Sequence, residues 1–158
     1  MKLSLYILLL STCLTSCYTY KVFPKEYRNF TFKGEKKIAF VTNPQLKKEY
    51  EILKQSGIFK LTNDSLSDES AKVKLQPLSR GFICGNAIVV SVFSLGQLPV
   101  YFPDTYHYRF EEMRGHNTIS RDFELQVAQR IWFWDMFAIN KNFKGKAGKA
   151  LLANYYRQ

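Results

Sequence analysis

Hydrophobic and polar positions change period several times along this chain, and each change marks an element. Lys37–Thr42 (KIAFVT) is a short, β-prone apolar run that reads as a buried strand. Asn43-Pro44 predicts a helix start, with Asn43 as the N-cap and Pro44 at the first helical position. Leu46, Tyr50 and Leu53 then recur at i, i+4 and i+7, one face of a helix that Gly57 ends. Ile58–Thr62 is a second strand and Asn63–Ser70 a polar loop. Ala71–Leu78 is a third strand, with Val73 and Leu75 inward and Lys72, Lys74 and Gln76 outward.

From Gly81 to Pro103 the chain carries no charge. The stretch is long enough to span a bilayer, which takes roughly 20 residues. Asn86, Ser91, Ser94 and Gln97 interrupt it with polar groups, and Pro99 and Pro103 break its end. The preferred reading is a buried or membrane-apposed helix over Ala87–Leu95, then a turn through Gly96–Pro99. Tyr106, Tyr108 and Phe110 next alternate with His107, Arg109 and Glu111, and Phe123, Leu125 and Val127 alternate with Glu124 and Gln126. With turn chemistry at Arg114–Asn117, these runs predict an antiparallel hairpin. A terminal helix follows over Gly145–Arg157. The fold class is therefore α+β: a small mixed sheet with a strand–helix–strand–strand unit, an apolar helical segment, a β-hairpin and a C-terminal helix. Whether the two halves share one sheet is left open by the pattern.

The amino terminus changes the picture. Residues 1–16 carry Lys2 and a short apolar core, Leu3–Leu10, which read as a signal peptide. They end in Leu14-Thr15-Ser16-Cys17, which resembles the lipobox of bacterial lipoproteins. That resemblance implies cleavage between Ser16 and Cys17, with diacylglycerol and an N-acyl chain on Cys17 as covalent lipid. Acyl chains, at about 0.8 kcal/mol per buried methylene, hold a domain on a bilayer without a spanning helix. In that family's sorting pattern, Tyr18 rather than Asp after the cysteine implies the outer membrane, facing the periplasm. Tyr18–Phe32 has no clear period, so residues 17–34 read as a lipid-anchored tether and 35–158 as one domain.

Two further resemblances concern the mature chain. The run from the first helix through Gln55-Ser56-Gly57-Ile58-Phe59 to Ala71-Lys72-Val73-Lys74-Leu75 resembles the amino-terminal domain of the translocation protein TolB. It implies a binding or scaffold module and carries no catalytic residue across. Ser94-Leu95-Gly96-Gln97-Leu98-Pro99, ahead of a Tyr-rich strand pair and a Trp-containing patch, is similar to a phrase in small bacterial lipoproteins without known activity.

Composition and charge narrow the function classes. The chain has 23 Lys and Arg against 13 Asp and Glu, a formal charge of +10, of which the signal peptide removes only Lys2. A basic balance suits nucleic acid, an anionic membrane or an acidic partner, and secretion excludes nucleic acid. Of the 3 cysteines, only Cys84 lies outside the targeting region and the anchor, and it reads as a small buried residue. His107, on a strand, and His116, in a turn, can approach across the hairpin, but two imidazoles without carboxylate or thiolate neighbours make a poor metal site. Gly145–Ala150 has the wrong spacing for a phosphate loop and no Ser or Thr for magnesium. No catalytic residue or cofactor is expected. Asp64-Ser65-Leu66 resembles an O-glycosylation triplet, with Ser65 as acceptor.

Ile131–Phe137 holds both tryptophans, Trp132 and Trp134. They read either as core packing or as an interfacial patch at headgroup level. With Lys146 and Lys149 of the terminal helix they form the candidate membrane contact. The first expectation is thus a binding or scaffold component of the cell envelope, with a protein partner. The alternative is a membrane-surface protein on anionic lipid, and a small envelope hydrolase is a distant third.

Overall fold

The computed structural model describes residues 18–64, 70–81, 98–115, 117–132, 134–135 and 141–157. The expected anchor residues Ser16 and Cys17, the acceptor Ser65, Cys84, His116 and the apolar segment Ala87–Leu95 lie outside the described residues. The described residues form an α+β fold with one mixed sheet and two α-helices. Both halves of the sequence pattern belong to that one sheet.

The sheet is organised by a long hairpin. Strand β6 (Val100–Phe102) and strand β7 (Thr105–Arg114) both pair antiparallel with β8 (Asn117–Ile131). They do so in a single register, from Val100 opposite Ile131 to Arg114 opposite Asn117. Pro103 interrupts the pairing because proline has no N–H to give the ladder. At the closed end Gly115 takes φ 54°, a left-handed conformation that glycine adopts without a Cβ clash.

Strands β4 (Ala71–Leu75) and β5 (Ser79–Gly81) run along the other side of β7. Leu75 faces Phe110, but Ser79 faces His107, so one extra residue is accommodated in Gln76–Leu78. This is a β-bulge, and it divides the strand expected over Ala71–Leu78. The backbone N–H of Leu78 is not left unpaired: it donates to the Glu49 carboxylate at 2.8 Å. Strand β2 (Lys37–Val41) pairs parallel with both β4 and β3 (Phe59–Thr62). Helix α1 (Lys47–Ser56) makes the crossover from β2 to β3, as parallel strands require.

Two expectations are corrected. Asn43 does not cap α1. Its side-chain amide donates to the Leu75 carbonyl and accepts from the Leu75 N–H, both at 2.8 Å, which extends the β2–β4 pairing past Val41. Nor do residues 18–34 form a tether. Tyr18–Phe23 is strand β1, antiparallel to β8 from Tyr18 opposite Ile131 to Phe23 opposite Gln126. Its period is hidden because it places amphipathic Tyr18 and Tyr20 beside Val22 where aliphatic residues would show a pattern. A short 3-10 helix follows at Lys25–Arg28, and Phe32 stacks on Tyr156 at 3.8 Å.

Helix α2 (Phe143–Arg157) begins two residues before the expected Gly145 and packs with α1 over one face of the sheet. Asn142 accepts from the Gly145 N–H at 3.0 Å, as an N-cap does. The core between helices and sheet contains Val22, Ile52, Leu53, Val73, Tyr108, Phe110, Phe123, Leu125, Val127 and Leu151, all at most 1% exposed. Tyr108 also ties sheet to helix, since its hydroxyl donates to the Glu49 carbonyl at 2.8 Å. The opposite face carries alternating Thr105, His107, Arg109 and Glu111, none of them buried. Among the described residues no helix is long and apolar enough to cross a membrane.

The helices meet through small residues. Ala147, Gly148 and Ala150 of α2 are buried, and a Cβ added to Gly148 would stand 2.8 Å from the Ser56 nitrogen and 3.0 Å from the Ile52 carbonyl oxygen. Those atoms are backbone and cannot turn aside. Gly148→Ala should therefore destabilise the fold by about 1–3 kcal/mol, despite the better helix propensity of alanine. The midpoint of urea unfolding measures this, and an unchanged or raised midpoint would contradict the close approach.

Candidate functional site: the end of the sheet where the first strand begins

Strand register brings several distant residues to one end of the sheet. Tyr18, Ile131 and Val100 lie side by side across β1, β8 and β6. Leu98 precedes that rung, and Trp132 and Trp134 follow it. Of the five large hydrophobic side chains that stand exposed among the described residues, Leu98, Tyr101 and Trp134 belong to this end, at 58%, 41% and 53%. Tyr18 is the residue directly after Cys17, so the position expected to carry lipid is one peptide bond from this rung.

A buried ion pair holds the end together. Asp135 is 2% exposed. Its carboxylate receives Nη2 of Arg130, and Arg130 Nε at 2.9 Å. Thr19 of β1 donates its hydroxyl to the same carboxylate at 3.1 Å. The Asp135 hydrogen bond is the main reason the Arg130 pKa is raised, with Tyr101 adding to it. The Arg130 guanidinium also lies 5.0 Å from the Trp132 ring centre, within cation–π range. The segment after β8 is thus folded back over the sheet end and fixed there. Trp132 is half-buried in that arrangement, while Trp134 reaches solvent.

Beside this end lies an apolar cleft of about 520 Å³ on the face away from the helices. Ala128 of β8 helps form it, and Phe23, Tyr101 and Pro103 stand around it. Phe23 and Tyr101 meet edge to face at 6.1 Å. One carboxylate, Asp104, borders the cleft, and it is already engaged: Arg80 Nη2 reaches both its oxygens at 2.7 and 2.8 Å, and the Tyr106 hydroxyl donates to it at 3.3 Å. Burial, then the Asp104 charge, pushes the Tyr106 pKa up to about 12. The cleft therefore offers mainly apolar contact, with the exposed Tyr101 ring on one wall and its one carboxylate held by Arg80 and Tyr106.

Lys146 and Lys149 are brought together, but with new company. Along with Lys21 of β1 and Arg28 of the 3-10 helix they line a polar cavity of about 190 Å³. They lie further along β1 than the tryptophans: Tyr18 sits against Lys141, Tyr20 against Phe143, and Lys21 and Val22 share the cavity with Lys146. His107 lies on the solvent face of β7, with Nδ1 3.9 Å from Asp122. Among the described residues no three His, Cys, Asp or Glu side chains are grouped as metal ligands would be.

Sequence reading missed Arg130, Asp135, Phe23, Tyr101, Lys21 and Arg28. Two signals were present. Pro103 inside an otherwise strand-like stretch marks interrupted pairing, and Ala128 is small at a position where its neighbours on β8 are larger. The Arg130–Asp135 pairing had none, since acid and base five residues apart after a strand are common. No protein-family model matches the chain, and no curated protein matches it in sequence.

Removing one member of a buried pair leaves the other charge uncompensated, at a cost of about 3–5 kcal/mol. Arg130→Ala should cost about 3 kcal/mol, near the lower end of that range, because the Arg130 side chain keeps 17% exposure. The double variant Arg130→Met with Asp135→Leu should lose less than that single variant. Denaturant unfolding of both checks it, and simple additivity would show that the two charges do not act as a pair.

Proposed function

We propose that this chain is a non-catalytic envelope lipoprotein, held to a bilayer by acyl chains on Cys17, with the Tyr18–Ile131–Val100 end of its sheet seated against the membrane. From that position it acts as a binding or scaffold component for another envelope protein.

The observation that carries the reading is the start of β1 at Tyr18. A lipid on Cys17 would have no spacer behind it. Consecutive Cα atoms are about 3.8 Å apart, so the sheet end would lie within a residue's reach of the headgroups. Leu98, Tyr101 and Trp134 stand exposed at that same end, and tryptophan and tyrosine favour the interface between hydrocarbon and water. An exposed apolar set at a free protein end is unfavourable in water, and against a bilayer it becomes an attachment.

The binding role rests on the cleft between Phe23 and Tyr101, whose one carboxylate is fully engaged by Arg80 and Tyr106. A site with mainly apolar walls, whose one carboxylate is already bound within the protein, suits recognition of an apolar group. The resemblance of the β2–α1–β3–β4 run to the TolB amino-terminal domain points the same way. Outer-membrane placement with the domain facing the periplasm follows the Tyr18 sorting pattern and is part of the proposal.

Trp132 and Trp134 are the only tryptophans in the chain, so native fluorescence reports on this end alone. The lipidated protein in vesicles with brominated acyl chains should show strong quenching. A variant with Trp132→Phe, Trp134→Phe and Ile119→Trp moves the reporter to the far end of the hairpin and should show little. Equal quenching at the two ends, or none at either, would remove the seated orientation.

A further inference from the structure

The cavity lined by Lys21, Arg28, Lys146 and Lys149 has an unusual charge balance. Four cationic side chains from β1, the 3-10 helix and α2 converge on about 190 Å³, and no carboxylate lines it. Among the described residues none of the four is ion-paired with an acid. The carboxylate that acts on Lys21 is Asp135, which Arg130 and Thr19 already occupy. Burial lowers the pKa of Lys21 and Lys146, and neighbouring charge lowers them further: Lys149, Lys21 and Arg28 act on Lys146, and Arg130 and Arg28 on Lys21.

The backbone adds to this. Lys144 and Lys146 lie in the first turn of α2, which has no acidic residue. A helix amino terminus carries partial positive charge and favours anions there, so lysines in that turn oppose the dipole. Side chains that repel one another and the helix end persist together where a ligand of opposite charge compensates them. Asn29 supplies a neutral polar group to the same wall, and Val22 closes the floor against the core. Arg28 is held in place through Nε, which donates to the Val22 carbonyl at 2.8 Å.

We infer that Lys21, Arg28, Lys146 and Lys149 form a binding site for a phosphate group, carried either by a phospholipid headgroup or by a soluble phosphate compound. A tetrahedral polyanion fits a small polar cavity approached by several flexible ammonium groups and one guanidinium. The inference does not depend on how the domain is seated or on what it binds elsewhere.

The test uses the full lipidated chain and reads thermal unfolding. In a neutral detergent, replacing chloride by about 10 mM inorganic phosphate at equal ionic strength should raise Tm by about 3 °C or more. Lys21→Gln and Lys146→Gln should each unfold at a higher temperature than the parent without phosphate, since repulsion is relieved, and should lose the phosphate response. Loss of one charge-assisted contact weakens binding by about tenfold or more. Lys146→Arg should keep the response, and so should Lys74→Gln on the opposite sheet face. A response to inorganic phosphate with this pattern supports the site and shows that soluble phosphate suffices. A silent phosphate titration, with Tm raised by phosphatidylglycerol over phosphatidylcholine nanodiscs and abolished in Lys21→Gln and Lys146→Gln, supports it with the headgroup as source. No response in either medium overturns the inference. So does a response that survives both substitutions, one that Lys74→Gln abolishes equally, or a fall in unliganded stability in both glutamine variants.

Discussion

The architecture depends on the register between the β6–β7 run and β8. Side chains alternate faces along a strand, so a slip of one residue would turn either Tyr108 and Phe110 or Phe123 and Leu125 away from the core. Buried aromatic residues on both strands therefore hold the alignment along its whole length, across the break at Pro103. Every other strand is placed relative to it. The β4–β5 run lies along β7, β2 and β3 extend from β4, and β1 closes the far side of β8. The polar placements follow as well. Asp135 can meet Thr19 only because Tyr18 stands opposite Ile131, and Glu49 can reach the Leu78 N–H only because the bulge puts that group beneath α1.

Much of this was legible in the sequence where burial is one-sided and periodic. The alternation at Tyr106–Phe110 and Phe123–Val127, the KIAFVT strand, the stop at Gly57 and the terminal helix all leave a simple trace. The α+β class follows from them. Failures occurred where a residue serves two purposes. Asn43 has the chemistry of a cap, yet a strand backbone with unpaired groups lies nearby and takes its amide. Tyr18–Phe23 lacks aliphatic alternation because its inward positions are partly filled by tyrosine, which packs as a ring and stays wet at the hydroxyl.

The candidate site was legible only in pieces. The tryptophans were visible as a cluster, and the terminal lysines as a basic helix face. Their partners were not, because Lys21 and Arg28 meet Lys146 across more than a hundred residues of chain. Charge proximity of that kind arises from topology rather than spacing. The same holds for Phe23 and Tyr101, which face each other across Ala128 after being brought to opposite edges of one strand.

The pairing of β1 with the last stretch of β8 also has a kinetic side. Tyr18 and Ile131 are neighbours in space and far apart in the chain, and contacts of that separation form late because the intervening loop must first be closed. The hairpin and the β2–α1–β3 unit use nearer contacts and can assemble before β1 joins them. Until β8 and α2 have emerged, the opening residues have no sheet edge to dock on. Strand β1 thus stays unpaired while the rest of the sheet assembles, and is drawn in only when the last elements arrive.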